Sequence, residues 1–190
     1  MPHRILTPGF FARECPEVAA ELVGKWLCRR LPDGSVRRLR ITETEAYCGE
    51  DDTACHAHKG RTKRTDVLYG PPGVLYVYLC YGIHWMLNIV TGTEDRPQAV
   101  LIRACEGADG PGKLTKALPH RRLEPVSPLG RNRYCVGGGR RRTRHDLRRS
   151  PGGDRIRLPG GSGKTLAIYS VRTRNTAVNL RAGRIGMRSP

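Results

Sequence analysis

Five short runs rich in β-branched and aromatic residues, punctuated by glycine and proline, fill residues 26–106 and admit little but a sheet. "WLCRRLPDGSVRRLRITETEAY" reads as two strands around a Pro-Asp-Gly turn. "GPPGVLYVYLCYG" is a turn followed by a third strand, and "HWMLNIVTG" and "AVLIRACE" are two more. Upstream, Val18, Ala19, Leu22 and Val23 recur at helical spacing and predict an amphipathic helix ending near Gly24. "GPGKLTKAL" predicts a second, glycine-punctuated helix start. The fold class expected is mixed α/β: a single domain with a curved, mainly antiparallel sheet flanked by helices, and an irregular C-terminal third.

Alternation places Glu43, Glu45 and Tyr47 on one side of their strand. Solvated carboxylates on an edge strand are the plainer reading of Glu-x-Glu. Tyr76 and Tyr78 alternate in the same way on a later strand, with Tyr81 just beyond at a Gly82 turn. Tyrosines near a carboxylate and His56 suit a pocket for a flat, π-rich ligand such as a nucleobase, although aromatic stripes more often build core.

The charge of +17 resembles a nucleic-acid signature until it is mapped. Residues 1–119 carry 16 Lys and Arg against 14 Asp and Glu, whereas residues 120–190 carry 18 against 3. Seventeen of those 18 cations are arginine, with Lys164 the exception. Glycine, proline and arginine dominate this last third, which composition alone reads as disordered. The seven cysteines include no Cys-x-x-Cys pair, which argues against a disulfide framework and a standard zinc site. Cys55, His56 and His58 match no common metal spacing and lack a fourth ligand. "LPGGSGKT" falls short of a phosphate-binding loop, because Leu158 stands where glycine is required. No apolar run is long enough to cross a bilayer, and "MPHRILTPGF" lacks the apolar core of a secretion signal, so a soluble cytoplasmic protein is expected.

Taken in order and spacing, "ETEAY", "GPPGVLYVYLCYG", "HWMLNIV", "VLIRACE" and "GPGKL" resemble the alkyladenine (3-methyladenine) DNA glycosylases from about Leu6 to Leu118. The resemblance implies an enzyme that flips a damaged purine out of duplex DNA and hydrolyses its N-glycosidic bond. Glu45 would be the general base that activates water. Tyr47, His56 and Tyr78 would sandwich and hydrogen-bond the base, and Asn88 would shape the pocket against normal purines. Tyr81 would be the wedge that fills the gap in the stack. Arg103 would help hold the water or the flipped nucleotide, and Glu43 would be a supporting acid. No lysine nucleophile stands among the matched positions, so a monofunctional enzyme is implied, with no cofactor and no metal. The expected partner is double-stranded DNA containing damaged purines, bound by a monomer, with no membrane and at most a nucleoid-associated location.

The resemblance implies further segments, Arg-(Ile/Val)-Gly-Ile and then Lys-Pro-Trp-Arg-Phe, that do not appear in order. With one nucleotide dropped, codons for Pro151 to Arg155 can encode Arg-Val-Gly-Ile, and codons for Gly163 to Tyr169 can encode Lys-Pro-Trp-Arg-Phe. "RIGM" (Arg184 to Met187) mimics the first segment in frame but lies near the C-terminus. A frameshift between about Leu118 and Pro125 accounts for both matches and for the arginine excess. The expectation is a glycosylase-like body over 1–119, an incomplete domain, and an out-of-frame, poorly packed 120–190. Two rivals follow: a catalytically inactive DNA-binding remnant of the same family, and, from charge alone, a structural or ribosome-associated basic protein.

Overall fold

The computed structural model describes residues 5–118 and 134–138, together with the backbone of strands at 126–128, 167–170, 172–174 and 177–179. The expected helix is α2 (Cys15–Leu22), which buries Cys15, Val18, Ala19 and Leu22 and gives way to Gly24 at φ +86°. A single turn, α1 (Pro8–Phe11), precedes it, and α3 (Pro111–Ala117) is the second expected helix. Gly112 lets α3 close on the sheet, since a Cβ there would stand 2.5 Å from His84 Nδ1.

The strands form as expected: β1 (Trp26–Arg30), β2 (Val36–Tyr47), β3 (Val74–Cys80), β4 (His84–Thr91) and β5 (Gln98–Cys105). β1 and β2 pair from Trp26↔Arg40 to Arg30↔Val36. In the turn between them Asp33 Oδ1 accepts hydrogen bonds from the Ser35 amide and hydroxyl. The sheet order is β6 (Val126–Pro128), β3, β4, β5, β2, β1 and β7 (Tyr134–Gly137), with β8 (Ala167–Ser170) also on β2, and each pairing is antiparallel. The fold is thus the curved antiparallel sheet with flanking helices that the sequence predicts.

Within 120–190 the described strands are β6 (Val126–Pro128), β7 (Tyr134–Gly137), β8 (Ala167–Ser170), β9 (Arg172–Arg174) and β10 (Ala177–Asn179). β6 lies on β3, β7 on β1, and β8 on Glu43 to Ala46 of β2. Tyr134 and Val136 are buried, and the Arg29 guanidinium lies 4.6 Å from the Tyr134 ring centroid. The remaining residues of this segment, including "LPGGSGKT" and "RIGM", lie outside the described residues. Among the described residues no helix is long and apolar enough to cross a membrane.

The sheet has two covered faces, and β2 changes sides between them. Leu75, Val77, Leu87, Ile89, Val100 and Ile102 face α1, α2 and α3 in one apolar cluster. Leu39 and Ile41 join that cluster from odd positions of β2, and Ala46 from an even one. The switch lies between them, where the β2–β5 register slips twice, between Ile41 and Glu43 and between Glu43 and Thr44. Extra residues of this kind break strand periodicity. Thr44, now on the helix side, donates its hydroxyl to the Ala19 carbonyl at 2.9 Å. Glu43, Glu45 and Tyr47 are thereby turned to the opposite face.

Candidate active site

That opposite face is roofed by residues 48–70. Asp52 fixes the start of the segment, accepting from the Cys48 amide at 3.0 Å and the Ala54 amide at 2.9 Å. One-turn 3-10 helices follow at His56–Lys59 and Asp66–Tyr69. Their buried side chains, Cys55, Ala57, Leu68 and Tyr69, pack on Val74, Tyr76, Val90 and Ala99 of the sheet. Arg61 bridges Asp66 and Asp95, and the Tyr69 hydroxyl donates to Glu50 at 2.6 Å. Because Cys55 and Ala57 point inward, His56 between them is presented at the edge of the cleft.

Sheet register aligns the rest. Tyr76 pairs with Asn88, Asn88 with Leu101, and Leu101 with Glu45, so four strands contribute one row across the face. Tyr47, Tyr78 and Arg103 lie one alternation away, toward the two ends of the row. The cleft is lined by Tyr47, His56, Tyr76, Tyr78, Asn88 and neighbouring apolar residues.

Glu45 is 2 % exposed, and both carboxylate oxygens are held. The Tyr47 hydroxyl donates to Oε2 at 2.8 Å, and Arg103 Nη1 donates to Oε1. Arg103 Nε also lies 3.4 Å from Glu43 Oε2, so one guanidinium spans both acids. Burial, and then the Glu45 charge, push the Tyr47 phenol far above its usual range, which keeps it a donor.

On the cleft wall His56 and Tyr78 are in ring contact, with centroids 4.4 Å apart and planes at 56°. His56 Nδ1 and the Tyr76 hydroxyl are 3.0 Å apart. Burial, and then the charge of Arg64, hold the His56 imidazole below its ordinary value. The amide of Asn88 donates to the Tyr76 carbonyl at 3.2 Å, which fixes its orientation from within the sheet.

Tyr81 is set apart from this group. It sits at the tip of the β3–β4 hairpin, 88 % exposed, with φ +49° beside Gly82 at φ +72°. The Ile83 amide closes this turn on the Cys80 carbonyl, and two positive φ values mark the type I′ hairpin geometry. A tyrosine held there costs about 1 kcal/mol of backbone strain. Ile83, 69 % exposed, adds a second apolar side chain to the tip.

The structure therefore brings Glu45, Arg103, Tyr47, His56, Tyr78 and Asn88 to one face, and leaves Tyr81 projecting from the hairpin tip. Sequence reasoning left out Arg64, whose Cζ lies 5.5 Å from the Tyr78 centroid at the rim. Its only signal was the run Lys59–Arg64, where four cations in six residues offer no periodicity to single one out. Tyr76, which its alternation with Tyr78 groups among the pocket tyrosines, meets His56 Nδ1 with its hydroxyl on the cleft wall. Cys55, His56 and His58 have separate partners: the Pro97 carbonyl, the Tyr76 hydroxyl and the Glu50 carbonyl. Among the described residues no group of three or more His, Cys, Asp or Glu side chains could hold a metal ion.

A carboxylate pinned between a tyrosine and an arginine, beneath an aromatic cleft on an antiparallel sheet, has the chemistry of a site for flat ring-bearing ligands. The profile of the methylpurine-DNA glycosylase (MPG) family matches residues 9–188. The chain belongs to the methylpurine-DNA glycosylase family. A protein of Psychrobacter cryohalolentis, provisionally named a 3-methyladenine DNA glycosylase, is 45 % identical over 159 residues, covering 67 % of this chain and 75 % of that one. A Nitrosococcus oceani protein with the same provisional name is 54 % identical over 106 residues, covering 56 % of this chain and 50 % of that one. One from Methanocella arvoryzae is 47 % identical over 131 residues, covering 69 % and 65 %. The matched stretches thus span from half to three quarters of these relatives' own lengths.

Proposed function

We propose that the protein is a monofunctional DNA glycosylase that extrudes alkylated purines and hypoxanthine from duplex DNA and hydrolyses their N-glycosidic bonds. The observation that carries this reading is the fixed Glu45 carboxylate in register with Asn88 and Tyr76 on the cleft face. Loss of a purine leaves an oxocarbenium-like sugar, and a nearby carboxylate both stabilises it and takes a proton from the attacking water. Glu45 is that base. Tyr47 and Arg103 hold it without consuming either oxygen's second lone pair.

The extruded base lies against Tyr47, Tyr78 and His56, where aromatic faces favour the positive charge of an alkylated purine. Asn88, anchored by the Tyr76 carbonyl, limits which purine edges fit. Tyr81 enters the stack in place of the missing base. The partner is damaged double-stranded DNA, met by a monomer in the cytoplasm.

The test is release of hypoxanthine or 3-methyladenine from a lesion-bearing duplex. Wild-type chain should release the base, whereas Glu45→Gln should abolish release and leave binding intact. Unchanged release from the variant removes Glu45 as the base. Lesion binding by the wild type without release identifies the inactive remnant. If deleting 120–190 removes all DNA affinity, the basic-protein reading takes over.

A further inference from the structure

We infer that Cys15 and Cys48 form a modification site: a dithiol that hydrogen peroxide converts to a disulfide joining the start of α2 to the end of β2. The two sulfurs lie 3.1 Å apart, although 33 residues separate them in the chain. That contact is held from both sides. The Cys15 amide donates to Gln98 Oε1 at 2.8 Å, and the Cys48 amide donates to Asp52 Oδ2 at 3.0 Å. Both cysteines are free thiols in this structure. Neither sulfur takes part in the chemistry derived for Glu45.

Exposure divides the roles. Cys48 is exposed and meets the oxidant, while Cys15 is fully buried with its sulfur against that of Cys48. In the first step the Cys48 thiolate attacks one peroxide oxygen and the O–O bond breaks. The departing hydroxide takes a proton and leaves as water, and Cys48 becomes a sulfenic acid. In the second step the Cys15 sulfur attacks the Cys48 sulfur and the S–O bond breaks. The hydroxyl leaves as a second water, carrying the Cys15 proton. Two thiols lose two electrons in all, and one peroxide accepts them.

The hydrogen bond with Cys15 lowers the Cys48 thiol, and the same bond and burial raise Cys15 far above its usual range. That asymmetry favours thiolate on the accessible partner, against its partial burial and the charges of Asp52 and Glu14. The bond formed would close a loop holding α2, β1 and all of β2, which restricts the unfolded chain.

The experiment treats the full-length protein with stoichiometric hydrogen peroxide and maps peptides without reduction, assigning each cysteine by fragmentation. Mapping is needed because Cys28 and Cys135 also face one another, in the β1–β7 register. The expected result is a Cys15–Cys48 cross-link that dithiothreitol reverses, with a melting temperature several degrees above the reduced form. Cys15→Ser should instead leave a sulfenic acid trapped at Cys48 by dimedone, and Cys48→Ser should give no link to Cys15. Cross-linking of Cys28 to Cys135 alone, or Cys48 sulfenic acid persisting in the wild type, overturns the inference. So does an unmodified Cys48 at a peroxide dose that oxidises the partly exposed Cys80. These outcomes do not depend on glycosylase activity.

Discussion

Arg103 meets Glu45 on a diagonal: the Cα partner of Glu45 across the β2–β5 ladder is Leu101, two residues before the arginine. The side chain leans along β5 to reach it and touches Glu43 on the way. Removing it leaves a buried carboxylate with one charged partner fewer. Arg103→Ala should lower stability by about 1–3 kcal/mol, less than a fully buried pair would lose because about a third of the arginine side chain is exposed. Base release should slow as well. Chemical denaturation and single-turnover release measure the two effects, and a variant matching wild type in both would leave the contact without consequence.

Tyr47→Phe keeps the ring against the cleft and removes only the hydroxyl that donates to Glu45. A hydrogen bond to a charged group is worth about 1.5–3 kcal/mol, so release should fall roughly 10- to 100-fold with little change in KM. If KM rises and kcat is unchanged, the hydroxyl acts in binding alone.

His56 gives a pH dependence of defined sign. Its folded-state value lies below the ordinary 6.5, so below that pH the unfolded chain takes up the proton more readily than the folded one. Its contribution is complete above 6.5, shrinks as the pH falls through that value, and levels off once the folded imidazole titrates. Arg64→Gln removes the smaller of the two causes, so the imidazole should titrate higher yet remain below 6.5. Proton NMR of the imidazole reads this directly. No movement in the variant would mean that the Arg64 charge does not reach the ring.

Tyr81→Ala tests the hairpin tip. The side chain is almost wholly exposed, so stability should change by no more than about 0.5 kcal/mol. Release from duplex DNA should fall, whereas release from a single strand, which has no stack to fill, should not. Equal loss on both substrates would assign Tyr81 to the cleft itself.

For residues 120–190 the codons propose a shifted frame. A nucleotide read across codons 115 to 130 should show one base missing or extra. An unchanged frame removes that proposal and makes β7, with buried Tyr134 and Val136, a native edge of the sheet. Tyr134→Phe would then lower stability by about 1–3 kcal/mol, read by chemical denaturation, because buried Arg29 and the Leu118 carbonyl share its hydroxyl.

The strand runs, the α2 helix and the β1–β2 turn were legible because each rests on local signals: β-branched content, helical spacing, Pro-Asp-Gly. The alternations Tyr76/Tyr78 and Glu43/Glu45/Tyr47 were legible too, whereas His56 reaches the cleft from a turn of the covering segment, which no strand alternation places. Arg64 was hidden because its position depends on the fold of residues 48–70 over the sheet. Cys15 and Cys48 were hidden because no local pattern joins residues 33 apart.

By itself, the sequence determined which side chains share a face within an unbroken run of strand, such as Glu43, Glu45 and Tyr47, since backbone pleating there has period two. It could not determine which face that was. Leu39 and Ile41 occupy odd positions of β2 and are packed against the helices, and an unbroken strand would have driven Glu43, Glu45 and Tyr47 into the same apolar core. Two slips in the β2–β5 register reverse the strand there, and they exist only where β5 lies alongside. The tertiary structure decided that Glu45 faces the cleft, because burying three polar side chains among apolar helices costs far more than a local bulge.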